Sequence, residues 1–524
     1  MIQKVMFFAF TLIIGISAHA SEITTSADLL TSLIQSEMNK QKLPAVTISV
    51  LSHGKTVYRK GFGVTDTVSS NPATPNTKFH LASLTKSLVA TGLMQLVAQG
   101  VLDLDEPITT YFPKFRLNCD SKRPPNCEQL WKSITLRELL SHTAGLSRDP
   151  GIDYWNNLSL QQSTFVPNSE DIMNAAVNQE LVYAPGEHLK YSNFGFNLAG
   201  LILAEKGHAT GATPEERIRN YLTEHILKPL QMDDSGFSLD KSSDQSAAPY
   251  GLLYPSASSR MTLPWIVDSG GYVAAYGLVS SASDMEKYLA WLLREAKGSM
   301  EPVQGEANLI LDPASFHLMT TPVQTDPTTP DIGYGLGLML KTKTEGGKLR
   351  VYRIYHSGSY SGYKSFLSLD PALNFAVIVM SNAIDANVET FANLAYQVFA
   401  GDAPVSAATA SASGPQAKSS VLDPELAALI GVYDDVSALV SVIDAGNGQL
   451  AMKQGGATLS MTQLEKSANL ISFRLGSEGG YNSWIGEKVV FEVDQNSRPL
   501  CALAMRGYRM KPLSASPASS TLCP

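Results

Sequence analysis

The sequence predicts an α/β protein: one antiparallel sheet built from strands at both ends of a long first unit, a helical insertion between them, and a small all-β unit behind. Three observations predict it. β-Rich runs flank His53-Gly54 near the start, and strand-like runs return only after residue 348, with helix-rich sequence between. Residues 401–421 are rich in Ala, Ser, Pro and Gly and almost free of large apolar side chains, the composition of a linker. From 422 onward, short alternating runs are broken by turns such as Asn447-Gly448. A chain of 524 residues suits one large domain plus a smaller one.

Residues 1–20 read as a secretory signal peptide cut after Ala20. Lys4 supplies the positive start, residues 5–17 the apolar run, and Ala18-His19-Ala20 the small-x-small cleavage site. The apolar run is too short to span a bilayer, so the expectation is a periplasmic or secreted protein without a stable membrane anchor. The first domain covers 21–400. It begins with a helix over about 24–40 and the hairpin "AVTISVLSHGKTVYRKGFGVTD". Residues 84 to about 350 are helix-rich with long loops. Three strands follow in "KLRVYRIYHSG", "YKSFLSLD" and "NFAVIVMSN", then a helix near 386–400. Residues 422–524 form the small β-sheet or barrel domain with a C-terminal tail.

The net charge of −8 and the lack of basic runs argue against nucleic acid as a partner. Of the three pairings open to Cys119, Cys127, Cys501 and Cys523, an oxidising compartment favours the sequence-local Cys119–Cys127 and Cys501–Cys523. Nothing has the spacing of a zinc site.

Chemistry gathers in three segments. In "FHLASLTKSLVATGLMQLVAQG", Val89, Leu93, Leu96 and Val97 make an apolar stripe that ends at Gly100. Ser83 stands at the threshold of this helix, with Lys86 one turn on. Two readings stay open: Ser83 is an N-cap, or Lys86 is a desolvated amine that takes its proton. Ser-x-x-Lys alone decides nothing, because Ser52/Lys55, Ser238/Lys241 and Ser361/Lys364 repeat it in a hairpin turn, a polar loop and a strand. In "PGEHLKYSNFGFNLAG", Tyr191 and Asn193 precede a helix, and Tyr154/Asn156 repeats that spacing. The phenol serves as base only if a nearby positive charge lowers its pKa; Asn193 orients the lysine or a substrate amide, or simply caps. In "IYHSGSYSGYKSFLSLD", His356-Ser357-Gly358 closes a strand. Gly358 allows a substrate backbone to approach the edge, His356 binds a substrate carboxylate or assists proton transfer, and the N–H groups of Ser83 and Ser359 form an oxyanion hole. A satisfied polar histidine is the plainer alternative.

In this order the three segments resemble the serine β-lactamase and penicillin-binding protein-like family, class C type, whose relatives include D-Ala-D-Ala carboxypeptidases, D-aminopeptidases and family VIII esterases. "ITLRELLSHTAGL" (134–146), "YGLVSSASDMEKYLAWLL" (276–293) and "YGLGLML" (334–340) extend the resemblance over roughly 25–400. It implies a β-lactamase/transpeptidase-like fold with Ser83 as acylated nucleophile, Lys86 as activating amine and Tyr191 as general base or acid. Asn193, His356, Ser357, Gly358 and Ser359 then line the substrate. Ser141, His142 and Gly145 belong to a signature whose expected role is loop packing. Ser283 with Glu286 fits a helix capping box.

Lys-[ST]-Gly, usual at the third motif of true β-lactamases, occurs nowhere in the chain. His-x-Gly is similar to the pattern of some D-peptidases. The expectation is an exported serine hydrolase for D-amino-acid-containing peptides, with a small-molecule or peptide substrate and neither metal nor organic cofactor. A homo-oligomer built through the C-terminal domain is compatible with it. The rivals are a family VIII-type esterase, a weak β-lactamase, and a non-catalytic cell-wall or peptide binding protein.

Overall fold

β-Branched and apolar residues on both faces of "AVTISVLS" and "FAVIVMS" make strands that must be covered from two sides. The computed structural model places them at the centre of one sheet. It describes residues 26–512 apart from 120–124, 150–165, 253–259, 299–309, 327–328, 402–421 and short gaps at 436–437, 447, 455–456, 468, 478–483, 497 and 505–507. The signal peptide, most of the linker, Tyr154/Asn156 and Cys523 lie outside the described residues.

Helix α1 (26–41) leads into strands β1 (Ala45–Ser52) and β2 (Lys55–Gly63), joined through His53 and Gly54, both at positive φ as a two-residue hairpin turn demands. After the helical part come β3 (Gln324–Asp326), β4 (Thr329–Tyr334), β5 (Met339–Glu345), β6 (Lys348–Tyr360), β7 (Tyr363–Asp370) and β8 (Phe375–Ser381). The sheet order is β2-β1-β8-β7-β6-β5-β4-β3, antiparallel throughout. Strands from both ends of the first unit thus meet at β1–β8, as expected. The stretch expected to be helical also contributes β3, β4 and β5. They lie on one side of the sheet with β3 at its edge, and their polar Thr/Lys/Asp run and Pro330 carry no buried-strand pattern.

Alternation divides the sheet between two cores. Val46, Ile48, Val377 and Val379 pack on α1 and the last helix of the unit, Val388–Phe399. Ile378 and Met380 face the helical part, which contains α2 (Thr85–Ala98) and α3 (Asn193–Lys206). Helix α2 departs from the amphipathic expectation: from Thr85 to Met94 every residue is buried, so it runs through the core. Ser283 and Glu286 form no capping box. Ser281 caps Ala282–Ala296 by accepting from Asp284 N, while Glu286 accepts from the Ser49 and Thr56 hydroxyls.

Residues 431–512 form a closed eight-stranded antiparallel barrel, its first strand Gly431–Asp435 pairing its last, Tyr508–Pro512. Closure removes the edges that an open sheet of this size would expose. Tyr433, Met452, Phe473, Trp484 and Phe491 fill its core. Cys119 is bonded to Cys127; Cys501 is also disulfide-bonded.

Candidate active site

Ser83 lies in the 3-10 turn Ala82–Leu84 that enters α2. The N-cap reading fails: the helix cap is Leu84, and no side chain makes a cap hydrogen bond. Ala82 instead takes φ +52°, a left-handed conformation costly for a residue with a Cβ, which turns the chain abruptly before Ser83. Thr85 secures the turn by donating to Ala82 O at 2.6 Å and accepting from Leu278 N at 2.9 Å. From β7, Ser365 Oγ donates to Leu81 O at 2.7 Å. Gly358 allows this contact, since a Cβ there would meet Leu81 O and Ser365 Oγ at 2.2 Å each. The glycine makes room for the serine turn.

Lys86 is fully buried and its amine has three neighbours. Nζ lies 3.1 Å from Ser83 Oγ, 2.8 Å from Asn193 Oδ1 and 2.8 Å from Ala275 O. Asn193 opens α3 but does not cap it; Ser192 does, accepting from Gly195 N at 2.9 Å. The amide is oriented by Asp149, which accepts from Asn193 Nδ2 at 2.9 Å and from Arg148 Nη1 at 2.7 Å. Tyr191, half-buried, hydrogen-bonds the Ser83 hydroxyl, and Lys86 Nζ lies 5.0 Å from its ring centroid. Ser83, Lys86, Tyr191 and Asn193 thus converge on one point from two helix starts, with Ser83 itself partly open to solvent.

Burial dominates the electrostatics. Desolvation pushes the Lys86 amine well below its ordinary range; Arg148 adds to this and Asp149 opposes it. Desolvation pushes the Tyr191 phenol up, opposed by its bond to Ser83 and by Arg148. The sequence argument required a lowered tyrosine pKa, and the structure reverses it: burial favours the neutral form of both groups. A neutral amine carries two hydrogens and one lone pair. Asn193 Oδ1 and Ala275 O are pure acceptors and each takes a hydrogen from Lys86 Nζ; in the neutral form of the amine its lone pair then faces Ser83 Oγ at 3.1 Å.

His356 departs from expectation. It is buried, Nδ1 donates to Ser357 O at 2.7 Å, and Nε2 accepts from the Tyr334 hydroxyl at 2.8 Å. This network assigns the neutral tautomer, and burial, the largest cause, brings the pKa down to about 3. With both nitrogens occupied and no charge, His356 cannot clamp a substrate carboxylate; it braces the strand. Ser357 and Ser359 are exposed on β6. Pairing with β5 stops at Tyr355↔Met339, so the edge from 356 to 360 on that side has no strand partner among the described residues. His142 comes nearer the site than loop packing implied: its ring centroid lies 4.1 Å from that of Tyr191, the planes tilted by 38°, and Nδ1 accepts from Ser192 N at 3.0 Å.

Sequence reasoning missed Arg148, Asp149 and the Ala275 carbonyl. "SRDP" follows directly on the 134–146 segment, and its paired charges in an otherwise uncharged stretch were the available signal; a backbone carbonyl has none. Among the described residues no group of three or more His, Cys, Asp or Glu side chains could hold a metal ion.

A family model described as Beta-lactamase matches residues 30–401. The protein flp of Staphylococcus aureus strain MW2 is 24% identical over 362 residues, covering 68% of this chain and 63% of that protein. The chain therefore spans less than two thirds of the length of the first of its curated relatives. Among solved structures, an octameric penicillin-binding protein homologue from Pyrococcus abyssi has a TM-score of 0.58 at 23% identity, covering 92% of this chain and 98% of its own. A D-stereospecific amidohydrolase from Streptomyces has a TM-score of 0.53 at 23% identity, covering 69% of this chain and 95% of its own. At these identities the likeness is one of fold.

Proposed function

Because the chain belongs to the beta-lactamase family of serine hydrolases, we propose that it acts through a Ser83 acyl-enzyme on amide bonds of peptides containing D-amino acids. The observation that carries this is the placement of Lys86: two carbonyl acceptors anchor its buried amine 3.1 Å from Ser83 Oγ. In the proposed cycle Ser83 Oγ bonds to the substrate carbonyl carbon as its proton passes to Lys86 Nζ. The developing oxyanion rests on the N–H groups of Ser83 and Ser359. Tyr191, in contact with Ser83, relays the proton from Lys86 to the leaving nitrogen as the C–N bond breaks. Water then adds to the ester carbonyl, gives its proton back through the same groups, and restores Ser83. The unpaired edge of β6 offers an extended substrate a strand to lie against.

Within the D-peptide class, the neutral His356 favours substrates bound without a carboxylate clamp at the third motif. It favours a D-aminopeptidase-type amidohydrolase over a carboxypeptidase or a β-lactamase, and supports an esterase as second reading. Residues 1–20 support export, and the octameric homologue supports a homo-oligomer.

The test is turnover of a panel by the wild-type chain and Ser83→Ala: a D-alanyl amide with a free amine, a D-Ala-D-Ala peptide, a short acyl ester and a penicillin. Fastest Ser83-dependent turnover of the D-alanyl amide is expected. Ester turnover without any D-amide cleavage would replace the proposal by the esterase reading, and turnover of none would move the function to binding.

A further inference from the structure

The barrel reaches into the hydrolase centre with one side chain. Trp484, Ile485, Gly486 and Glu487 form a turn before the strand Lys488–Val493. The barrel holds it firmly: Gly486 N donates to Leu475 O at 2.7 Å, Leu475 N to Glu487 O at 2.9 Å, and Arg474 Nη1 to Gly486 O at 3.0 Å. Gly486 takes φ +81° and lies so close to the 182–183 segment that a Cβ would come within 2.1 Å of Val182 Cγ1. This contact seats Glu487 against residues that flank the site.

Glu487 is buried, and so is the lysine it meets. Its Oε1 accepts from Lys190 Nζ at 2.7 Å and from Arg148 N at 3.0 Å. Lys190 adjoins Tyr191 in the chain. The peptide carbonyl of Arg148 accepts from Asn193 N at 2.7 Å and Phe194 N at 3.2 Å, at the first turn of α3. Asp149, next along, orients the Asn193 amide. One barrel carboxylate therefore holds both segments whose neighbours contact Ser83 and Lys86. A buried acid costs heavily unless it is paired and hydrogen-bonded, and here that cost is offset by groups belonging to the other unit.

We propose that Glu487 is a positioning residue, through which the docked barrel fixes Tyr191 and Asn193 against Ser83 and Lys86 and so makes the hydrolase centre competent. This rests on the reading of Ser83 as nucleophile. Barrel and hydrolase act as one enzyme, and loosening the barrel slows acylation.

The test uses the full chain and a fluorophosphonate probe, with labelling rates measured at saturating probe well below each variant's melting midpoint. Glu487→Gln leaves Lys190 without its charge partner. Glu487→Met with Lys190→Met removes both charges, so no unpaired ion remains, but Arg148 N still loses its acceptor. The expected result is a folded double variant that labels roughly tenfold to a hundredfold slower, the scale of a small misplacement, with its half-saturating probe concentration unchanged. A folded double variant labelling at the wild-type rate would overturn the inference, reducing Glu487 to a neutraliser of Lys190. So would Glu487→Gln labelling at that rate. Failure of both variants to fold would overturn it as well, because the contact would then be a requirement of the fold. Failure of the wild-type chain to label would instead overturn the reading of Ser83.

Discussion

Replacing Lys86 by Met keeps the shape of the side chain and removes the amine. Loss of a positioned general base costs about 10²–10⁴ in rate, or about 3–5 kcal/mol of barrier. Folding responds in two opposed ways. Asn193 Oδ1 and Ala275 O lose their donor, at about 1–3 kcal/mol each when left buried and unpaired. Against this, the variant no longer needs to strip a proton from a lysine whose ordinary pKa is 10.5. The sign follows from proton counting. Burial lowers the folded-state pKa of Lys86 while the unfolded chain keeps the ordinary 10.5, so between the lowered pKa and 10.5 wild-type stability gains about 1.4 kcal/mol per pH unit as pH rises through this group. Lys86→Met loses that slope. The assay is fluorophosphonate labelling at pH 7, paired with urea unfolding at pH 7, 8 and 9. Labelling above about a tenth of the wild-type rate, below even the lower figure for a general base, or an unchanged stability slope, would refute the neutral-base argument.

Other expectations share this geometry. Gly358→Ala drives a Cβ into Leu81 O and Ser365 Oγ, both 2.2 Å away, and should cost about 1–3 kcal/mol of stability while displacing the Ser83 turn; melting and labelling both report it. Unaltered labelling would contradict the role given to that glycine. His356 is held neutral with its pKa at about 3 against an ordinary 6.5, so its contribution is complete above pH 6.5 and is lost as pH falls toward 3. The stability difference between wild type and His356→Gln should shrink by about 1.4 kcal/mol per pH unit in that window, read by urea unfolding; a flat difference would mean a charged or solvated imidazole. Tyr334→Phe strips the donor from His356 Nε2 and should cost about 1–3 kcal/mol in the same assay, with no loss of activity toward a short ester.

What could be read from the sequence depended on which interactions leave a local trace. "NFAVIVMSN" announced a central strand because both faces of β8 are buried, and His53-Gly54 announced its hairpin because positive φ is chemically selective. The strands from 324 to 345 left no such trace, being polar and short, with Gln324–Asp326 at the sheet edge. Ser83, Lys86, Tyr191 and Asn193 were found through ordered motifs, and the fold brings them together. The chemistry expected of His356 differs from what the structure shows, because burial and the Tyr334 hydroxyl set its charge and neither shows in "HSG". Ala275 acts through its backbone carbonyl, and Glu487 meets Arg148 across 339 positions of chain, so local pattern reveals neither.

The most direct test of the central claim is the intact mass of the wild-type chain and of Ser83→Ala after exposure to a fluorophosphonate. The account predicts a single adduct on the wild type, mapped to the peptide containing Ser83, and none on the variant. Equal labelling of both, or of neither, would contradict it.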